Sequence, residues 1–327
     1  MPTLVGKEIG PIGFGLMGFT WRPEPTPYEE AFKTMKAALE SGCNFWNGGE
    51  FYGTPDNNSL QLLNAYFSKY PEDADKVVLS IKGALGPNFT PTGDKAGLTT
   101  SIENCVKLLG GKKKIDIFEC ARVDLKTPIE ETIGYLAEFV KAGKIGGIGL
   151  SETGAATIRR AASVHPIAAV EVEFSLFSLD IQTNGVASTC AELGIPIVAY
   201  SPLGRGFLTG QIRSFSDVTE VHKFSPRFHE ENFHKNLELV DAITKVAEKK
   251  GCTPAQLAIG WVKSYSGTKG HPLIIPLPGA TTVSRVQENA KDVHVTAEDL
   301  KEIDRILADI PVQGPRVPEF LAHLAFA

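Results

Sequence analysis

Two side chains suited to acid–base chemistry each follow an apolar, strand-like run of this 327-residue chain. Tyr52 lies in Asn47-Gly-Gly-Glu-Phe-Tyr-Gly53, and Lys82 ends Val77-Val-Leu-Ser-Ile-Lys82. A lysine ammonium beside a phenol stabilises the phenolate and lowers the pKa of the tyrosine. We therefore expect Tyr52, with Lys82 beside it, to hand a proton to a developing alkoxide near neutral pH.

Composition narrows the class of protein. The chain is 43% hydrophobic and 22% charged, with a net charge of −5. A mildly acidic chain of this kind presents no nucleic-acid-binding face, and no apolar run approaches the ~18 residues that a membrane span requires. The first residues lack the apolar core of a signal peptide. Five scattered cysteines favour free thiols in a reducing compartment. We expect a cytoplasmic protein, with the nucleus also open and the oligomeric state undetermined.

Eight apolar runs that resemble β-strands alternate with helix-like segments. The runs are Ile12–Met17, Cys43–Asn47, Val77–Lys82, Ile115–Glu119, Ile145–Leu150, Ile167–Glu173, Ile195–Tyr200 and Leu273–Leu277. Their spacing, mostly ~22–38 residues, is typical of repeated βα units around a parallel sheet that helices cover. Eight such units predict an α/β fold, a (β/α)8 TIM barrel, with residues 1–327 as a single domain.

Three Thr-Pro pairs predict where helices begin. Thr26, Thr127 and Thr253 are each followed by proline, with Glu or Gln at the third position after the threonine. This pattern predicts a capping box with proline at the first helical position. Further segments are predicted near the C-terminus: a loop about 201–232, helices near 233–250 and 254–264, an extra helix near 296–308 and a tail about 309–327.

Two motifs point to other chemistry but do not meet its structural requirements. Gly13-Phe-Gly15-Leu-Met-Gly18 has the glycine pattern of dinucleotide-binding Rossmann domains, which must open a helix. Three prolines within residues 23–27 prevent that helix, so we expect a strand and its loop. His229 and His234 resemble a zinc motif, but their spacing separates them by roughly 140° on a helix. We expect no metal site.

Polar residues follow the predicted strands, at the C-terminal ends where TIM barrels carry their active sites. The segments that contain them are Phe-Trp-Asn-Gly-Gly-Glu-Phe-Tyr-Gly-Thr, Gly-Gly-Ile-Gly-Leu-Ser-Glu, Val-Glu-Val-Glu-Phe-Ser-Leu-Phe-Ser, Ala-Tyr-Ser-Pro-Leu-Gly-Arg-Gly and Ile-Pro-Leu-Pro-Gly-Ala with a later Gln-Glu-Asn. With these segments in this order, the chain resembles an aldo-keto reductase over nearly its whole length. The resemblance implies NADP(H)-dependent carbonyl reduction, with the cofactor held across the barrel mouth.

The catalytic group of that family usually comprises Asp, Tyr, Lys and His, and this chain matches it in part. Tyr52 and Lys82 occupy the tyrosine and lysine positions, whereas Asn47 stands at the aspartate position and Ala121 at the histidine position. Asn47 can accept a hydrogen bond from Lys82 but supplies no charge to keep the lysine protonated. Loss of the histidine removes a donor worth ~3 kcal/mol in orienting a substrate carbonyl.

This paired departure is similar to that of the fungal pyridoxal reductase branch of the family. The resemblance implies that the substrate is an aldehyde on a crowded pyridine ring, pyridoxal, which is reduced to pyridoxine with Tyr52 as general acid. Ala121 opens room beside the reacting carbon, and Trp21 and Arg122 complete the predicted substrate pocket. A phenolic hydroxyl on the substrate could hydrogen-bond its own carbonyl and partly replace the lost donor.

Cofactor-binding residues are predicted at the same strand ends. Tyr200 offers a face for nicotinamide stacking, while Ser151 and Glu171 suit the carboxamide. The loop after the seventh strand offers backbone N–H groups and Arg205 to the pyrophosphate. Arg285 suits the adenosine 2′-phosphate and favours NADP(H) over NAD(H). The predicted set is Ser151, Glu171, Tyr200, Ser201, Leu203, Gly204, Arg205, Gly206, Arg285, Glu288 and Asn289.

Three other functions are consistent with parts of the sequence. A general aromatic or aliphatic aldehyde reductase would keep the Tyr52 and Lys82 chemistry without a preference for pyridoxal. A catalytically vestigial NADP(H)-binding regulatory subunit would account for the incomplete catalytic group. A Schiff-base lyase would use Lys82 as its nucleophile and need no nicotinamide cofactor.

Overall fold

Eight parallel strands form the central sheet of the structure, a computed structural model that describes residues 2–327. The strands are β1 (Phe14–Gly15), β2 (Phe45–Gly49), β3 (Val78–Gly83), β4 (Ile117–Cys120), β5 (Ile148–Ser151), β6 (Ile167–Glu173), β7 (Ile197–Tyr200) and β8 (Ile274–Leu277). Strands that follow each other in sequence are neighbours in the sheet. The sheet closes where Gly13 and Gly15 donate backbone hydrogen bonds to Pro276 (2.9 Å) and Pro278 (3.0 Å). The predicted TIM barrel is confirmed.

The strand positions follow the prediction, with differences at their ends. β6 has the predicted bounds. β1 is shorter than the predicted Ile12–Met17 because the chain enters one helical turn at Met17–Thr20, so the Gly13–Gly18 motif forms a strand and its loop. β2 ends two residues later than predicted, since both glycines after Asn47 continue the pairing with β3. A Cβ atom on the second of these glycines would lie 2.8 Å from the Tyr52 ring, so glycine allows Tyr52 to lie against the strand.

Helices cover the outside of the barrel. They are α1 (Tyr28–Glu40), α2 (Ser59–Lys69), α3 (Lys95–Leu109), α4 (Ile129–Lys141), α5 (Ala155–Val164), α6 (Val186–Leu193), α7 (Glu230–Lys250), α8 (Pro254–Ser264), α9 (Val283–Ala290) and α10 (Ala297–Asp309). The helices predicted near 233–250, 254–264 and 296–308 are therefore confirmed. Within residues 2–327, no helix is long and apolar enough to cross a bilayer.

One of the three predicted helix starts is confirmed. Thr253 caps α8: its hydroxyl accepts the backbone N–H of Gln256 (3.2 Å), and the Gln256 side chain accepts the backbone N–H of Thr253 (3.1 Å). Pro254 occupies the first helical position. Two unpaired donors at the helix end are satisfied in this way, which stabilises the start of α8.

The other two predicted starts, at Thr26 and Thr127, are wrong. α1 and α4 begin after Pro27 and Pro128, whose ψ angles of 138° and 135° are extended rather than helical. Neither of these helices has a side-chain cap. The Thr127 hydroxyl donates to Asp124 instead (2.9 Å). This contact outside the helix engages the hydroxyl that was predicted to cap α4.

A β-hairpin that the sequence did not predict closes the N-terminal end of the barrel. Its strands are Thr3–Leu4 and Lys7–Glu8. Leu4 and Ile9 are buried against apolar side chains of the barrel strands. This end of the barrel is therefore part of the core, and the C-terminal ends of the strands remain for ligands.

The loop 201–232 and the tail 309–327 both lie at the C-terminal mouth of the barrel, and both contain short helical turns. The guanidinium of Arg316, in the tail, pairs with the carboxylate of Glu152, just after β5 (2.6 Å). The carbonyl of Ala327 accepts a backbone hydrogen bond of 2.9 Å from the loop after β5. The tail therefore packs on the mouth and completes its rim.

Candidate active site

Four polar side chains meet inside the mouth of the barrel and form what we call the polar cluster. They are Asn47 of β2, Lys82 of β3, Glu119 of β4 and Glu171 of β6, and none is more than 5% exposed. The Lys82 ammonium forms an ion pair with Oε1 of Glu171. The Asn47 amide donates to Oε1 of Glu119 (3.0 Å) and to Oε2 of Glu171 (2.8 Å). The barrel thus brings together side chains up to 124 positions apart.

The contact predicted between Asn47 and Lys82 is wrong. Asn47 donates to two carboxyl groups, and Lys82 reaches across the barrel to Glu171. A carboxylate is a stronger partner for an ammonium than an amide oxygen, because the bond is assisted by charge on both sides. Both oxygens of Glu171 have partners within the protein, and its predicted contact with a nicotinamide carboxamide stays a prediction.

Tyr52 lies beside the polar cluster among aromatic rings. It is 7% exposed, and its ring centroid lies 5.4 Å from that of Trp21 and 4.9 Å from that of Phe51. Burial raises the pKa of Tyr52, and the Lys82 charge lowers it without cancelling that effect. The predicted fall in this pKa is wrong, because removing the phenol from water outweighs the neighbouring charge. Tyr52 is therefore protonated at neutral pH, the form that can donate a proton.

Lys82 keeps its positive charge despite its burial. Burial alone lowers the pKa of Lys82, but the Glu171 carboxylate, which the ammonium contacts directly, is the main cause that raises it above its ordinary value. Its Nζ also lies 5.1 Å from the centroid of the Tyr200 ring, within cation–π distance. The ammonium is thus held near both the candidate proton donor and the ring predicted to stack on the cofactor.

Glu119 is the member of the polar cluster that sequence reasoning missed. Its Oε1 accepts hydrogen bonds from Asn47 and from the Ser80 hydroxyl (3.2 Å). Burial and the adjacent Glu171 raise the pKa of Glu119 well above its usual range. A signal was present in the sequence: Glu119 lies two residues before Ala121 at the end of a strand, and residues two apart in extended backbone share one face. A pocket role for Ala121 therefore implied that Glu119 points into the barrel.

An aromatic wall, made of Trp21, Phe51 and Phe89, borders Tyr52. The ring centroids of Trp21 and Phe89 are 6.0 Å apart and stacked, and Phe51 meets Trp21 edge-on at 5.7 Å. Trp21 is 38% and Phe89 is 53% exposed. Asn88 and Phe89 have positive φ angles of 56° and 57°, and such strain clusters at ligand sites. Trp21 was predicted for the pocket, whereas Phe51 and Phe89 were missed, since their contact depends on how two loops fold.

The other two predicted pocket residues lie next to each other after β4. Ala121 is buried, and its backbone N–H donates to the Gly83 carbonyl (2.9 Å). Arg122 Nη1 donates to the carbonyl of Ala121 (2.5 Å). The positive charge of Arg122 lowers the pKa values of both Tyr52 and Tyr200, although burial dominates each of them. The guanidinium therefore acts on both tyrosines of the mouth.

Two residues predicted for the nicotinamide end of the cofactor lie at the ends of β5 and β7. The Ser151 hydroxyl is buried and has no hydrogen-bond partner within the described part of the chain. Such a group is costly unless a ligand or water satisfies it. The Tyr200 hydroxyl donates to Glu152 (2.9 Å) and accepts a hydrogen bond from Arg316 (3.3 Å). Tyr200 is therefore fixed in place, and Ser151 is available for an amide group.

The loop predicted to bind the pyrophosphate has an unusual backbone. Ser201 and Arg205, which are not glycines, have φ angles of 52° and 56°. The N–H groups of Gly204 and Gly206 donate to the carbonyls of Ser201 (2.9 Å) and Leu203 (3.0 Å). The predicted exposure of these two N–H groups is wrong, because the tight turns of the loop use them internally. Arg205 remains as a half-buried cation of the loop.

The residues predicted for the adenosine end lie on α9. Arg285 is exposed in the first turn, and its guanidinium donates to the side chain of Gln211 (2.9 Å). An arginine at a helix N-terminus adds its charge to free backbone donors, an arrangement that suits phosphate. Asn289 is buried, and the Glu288 carbonyl accepts a hydrogen bond from α8 (3.3 Å). Sequence reasoning missed Gln211, which lies 74 positions from Arg285.

The donor set suits a nicotinamide dinucleotide. Each part of such a cofactor finds a suitable group: the amide has the unpaired buried hydroxyl of Ser151, the aromatic ring has the ring of Tyr200, and the phosphates have the arginines at 205 and 285. Within residues 2–327, no three His, Cys, Asp or Glu side chains are grouped so as to hold a metal ion.

Known proteins resemble this chain over most of its length. The profile described as Aldo/keto reductase family matches residues 11–308. The "Probable pyridoxal reductase 2" of Schizosaccharomyces pombe is 44% identical over 326 residues, with 97% of each chain covered. The "Putative pyridoxal reductase" of Saccharomyces cerevisiae is 41% identical over 336 residues, covering 93% of this chain and 94% of that protein. The structure of the glycerol dehydrogenase of Gluconobacter oxydans matches with a TM-score of 0.80, at 24% identity and over 96% of each chain.

The chain belongs to the aldo/keto reductase family. It is accordingly an oxidoreductase of a family that acts on small carbonyl compounds with a nicotinamide cofactor. The resemblance inferred from the strand-end segments is confirmed, including its fungal pyridoxal reductase branch. The glycerol dehydrogenase, at 24% identity, shows the fold alone.

Proposed function

We propose that the protein reduces an aldehyde to a primary alcohol with NADPH, and that its substrate is pyridoxal, which becomes pyridoxine. The observation that carries the proposal is the buried Tyr52 hydroxyl beside Lys82, whose ammonium pairs with Glu171, at the mouth of an aldo-keto reductase barrel. The names of two similar fungal proteins support the choice of pyridoxal.

Tyr52 is the proposed general acid. As the substrate carbonyl gains negative charge, its oxygen takes the proton of the Tyr52 hydroxyl. The Lys82 ammonium stabilises the phenolate that remains, and burial strengthens this stabilisation because little water screens the charge. NADPH, when bound, supplies the hydride that completes the reduction.

Four residues around the mouth are proposed to hold NADPH. Tyr200 stacks on the nicotinamide, and the Ser151 hydroxyl, which lacks a protein partner, bonds the carboxamide. Arg205 meets the pyrophosphate, and Arg285 meets the 2′-phosphate that distinguishes NADPH from NADH. The exposed position of Arg285 in the first turn of α9 supports this last assignment.

The aromatic wall supports a flat aromatic substrate. Trp21 and Phe89 expose large ring surfaces beside Tyr52, and stacking on such surfaces favours a pyridine ring over an aliphatic chain. Ala121 leaves space where the family usually has histidine. The phenolic hydroxyl of pyridoxal then serves as the internal donor to the aldehyde oxygen.

A turnover assay tests the proposed function. The purified protein is mixed with NADPH or NADH and with pyridoxal, simple aromatic aldehydes or short aliphatic aldehydes, and nicotinamide absorbance is followed while pyridoxine is identified by chromatography. We expect kcat/KM for pyridoxal with NADPH to be at least about 10-fold above that of the other aldehydes. Equal values across the panel would support a general aldehyde reductase. Tight NADPH binding without turnover would support a regulatory binding subunit.

The substitution Ala121→His tests where the substrate lies. A histidine supplies the missing donor, so kcat/KM for simple aldehydes should rise, by up to ~100-fold. The same side chain fills the space beside the pyridine ring, so kcat/KM for pyridoxal should fall. Ala121→Leu is the matched control, because it adds bulk without a donor and should lower both values. Pyridoxal kinetics that neither substitution changes would place the substrate elsewhere.

A further inference from the structure

The polar cluster contains two buried carboxyl groups but a single ammonium. Glu119 and Glu171 are each 2% exposed, and Lys82 is the cation that lies among them. Asn47 contacts both carboxyl groups and is neutral. A buried carboxylate without a charged partner is strongly destabilising, because the group has lost the water that solvates its charge. One ammonium therefore balances one carboxylate, and the other carboxyl group holds a proton.

The contacts decide which carboxyl group is charged. Glu171 receives the Lys82 ammonium on one oxygen and an N–H of Asn47 on the other. Glu119 receives neutral donors, the second N–H of Asn47 and the hydroxyl of Ser80. The negative charge is most stable on the group that meets the ammonium. Burial and the adjacent Glu171 accordingly raise the pKa of Glu119 well above its usual range.

We propose that Glu171 is the positioning residue that keeps Lys82 charged and in place, and that Glu119 shares the site as a neutral, protonated acid. The inference rests on the proposed reduction at Tyr52. Asn47 and Lys82 contact the two oxygens of one carboxylate, so the charge missing at position 47 is supplied from β6, on the opposite side of the barrel. The carboxylate of the catalytic group is thus relocated from position 47 to Glu171, whereas the histidine remains replaced by Ala121.

This arrangement also explains why the buried amide at position 47 is useful. Its two N–H groups bond one carboxyl group each, at 3.0 Å and 2.8 Å, and so hold Glu119 and Glu171 at fixed positions. An aspartate at this position would bring a third carboxyl group to a single ammonium. Asn47 is therefore matched to the two glutamates, and a charge added at 47 should be tolerated when one is removed at 171.

The first test measures the charge of Lys82 in the ligand-free protein. The ¹³Cε resonance of Lys82, assigned by its loss in Lys82→Met, is titrated with pH in wild type, Glu171→Gln, Glu119→Gln and the double variant Asn47→Asp/Glu171→Gln. The other titratable groups that face Lys82 are Tyr52, Glu119 and Tyr200. We expect Glu171→Gln to lower the titration midpoint by at least about one pH unit. Asn47→Asp should reverse that fall, and Glu119→Gln, which replaces a neutral acid by a neutral amide, should leave the midpoint unchanged.

The second test measures turnover of pyridoxal with saturating NADPH. Glu171→Gln should lower kcat by ~10- to 100-fold while the Kd for NADPH stays within about 3-fold, because the substitution acts on the proton donor through Lys82. The double variant should recover most of the loss. An exposed glutamate, Glu130, supplies the control substitution Glu130→Gln, which should change neither value.

Three results would overturn the assignment. They are an unchanged Lys82 titration in Glu171→Gln, a double variant no better than the single one, and an equal fall in Glu119→Gln, which would place the charge on Glu119. Should Glu171→Gln fail to fold, restoration of folding by Asn47→Asp is the expected result for an unbalanced ammonium, and no restoration contradicts the proposal. The titration needs no turnover, so an inactive wild type would refute the proposed reduction while the charge assignment is still decided.

Discussion

At the residue scale, the chemistry of this site depends on how burial acts on ionisable groups. Burial favours the neutral form of each, so it keeps Tyr52 protonated and would by itself discharge Lys82. Direct contact with the Glu171 carboxylate outweighs burial at Lys82 and keeps its ammonium charged. The result is a neutral proton donor beside a cation, which is the arrangement that general acid catalysis of carbonyl reduction requires.

The substitution Tyr52→Phe removes the proposed acid and keeps the ring. We expect turnover of pyridoxal to fall by ~10²–10⁴, the usual contribution of a positioned general acid. The Kd for NADPH, measured by fluorescence titration, should stay within about 3-fold because the ring still packs between Trp21 and Phe51. Turnover near the wild-type value in a folded variant would mean that the proton comes from another group.

The substitution Arg285→Ala tests the phosphate contact. Loss of a charge-assisted fork at an exposed site should weaken NADPH binding by about 1.5–3 kcal/mol, roughly 10- to 150-fold, and leave NADH binding nearly unchanged. Arg305→Ala is the control, because it removes an exposed arginine of a different helix, α10, and should change the binding of neither cofactor. Equal weakening of both cofactors in Arg285→Ala would move the 2′-phosphate site elsewhere.

At the element scale, helix starts with the same sequence pattern differ in structure. Thr253 has an extended backbone and caps α8, whereas at the other two starts the proline itself is extended and precedes the helix. The threonines before those prolines lie one residue too far from the first turn to bond its N–H groups. The same Thr-Pro pattern therefore caps and stabilises one helix and leaves the other two without a side-chain cap.

The substitution Thr253→Ala should lower the free energy of unfolding by about 1 kcal/mol, because the N–H of Gln256 loses its partner. Thr26→Ala, at a start where the threonine makes no cap, should change it by less than about 0.5 kcal/mol. Denaturant unfolding at equilibrium measures both values. Equal losses at the two positions would contradict the assigned cap.

At the scale of the whole molecule, the tail completes the barrel mouth. Arg316 is 8% exposed and forms two bonds to Glu152, of 2.9 Å and 2.6 Å. Its guanidinium also lies 4.7 Å from the centroid of the Phe326 ring. The same arginine donates to Tyr200, so the tail and the ring proposed to stack on the cofactor share one buried network.

The substitution Arg316→Ala should lower the free energy of unfolding by about 3–5 kcal/mol, because it leaves the buried Glu152 carboxylate without a positively charged partner. Arg159→Ala, which breaks an exposed pair with Glu192, should cost less than about 1 kcal/mol. A double variant that adds Glu152→Gln to Arg316→Ala should be more stable than Arg316→Ala alone. No gain from the second substitution would mean that the loss does not come from an unpaired charge.

The ion pair of Arg316 and Glu152 should make the stability of the protein depend on pH. Burial raises the pKa of Glu152, but Arg316 outweighs burial and holds it below its ordinary value. A lowered pKa in the folded state contributes stability above the unfolded value, near ~4.3, and this contribution is lost as pH falls through the folded value. In Arg316→Ala burial acts on Glu152 without the guanidinium, so the pKa of this carboxyl group lies above its ordinary value in the folded variant. The stability advantage of wild type over Arg316→Ala should therefore begin to shrink above ~4.3 as pH falls, and continue to shrink down through the lowered pKa of wild type. An advantage that persists unchanged at pH 3 would contradict this account.

The sequence by itself determined the barrel and the end of it at which the candidate site lies. The regular spacing of the apolar runs reflects the alternation of strands and helices, which is a local property of the sequence. The residues that follow these runs all lie at the same end of a parallel barrel, so their common location can be predicted without knowing their contacts. Tyr52, Lys82 and the family segments could be recognised for this reason, and the barrel and family inferred from them are confirmed.

Only the tertiary structure decided which groups meet and how they are charged. The partner of Lys82 lies 89 positions away, and an ion pair across a barrel depends on side-chain direction rather than on spacing. The pKa of Tyr52 rose although a cation lies nearby, because the cost of burial depends on the whole surroundings. The aromatic wall and the tail likewise depend on how separate loops fold against each other, which local sequence patterns do not specify.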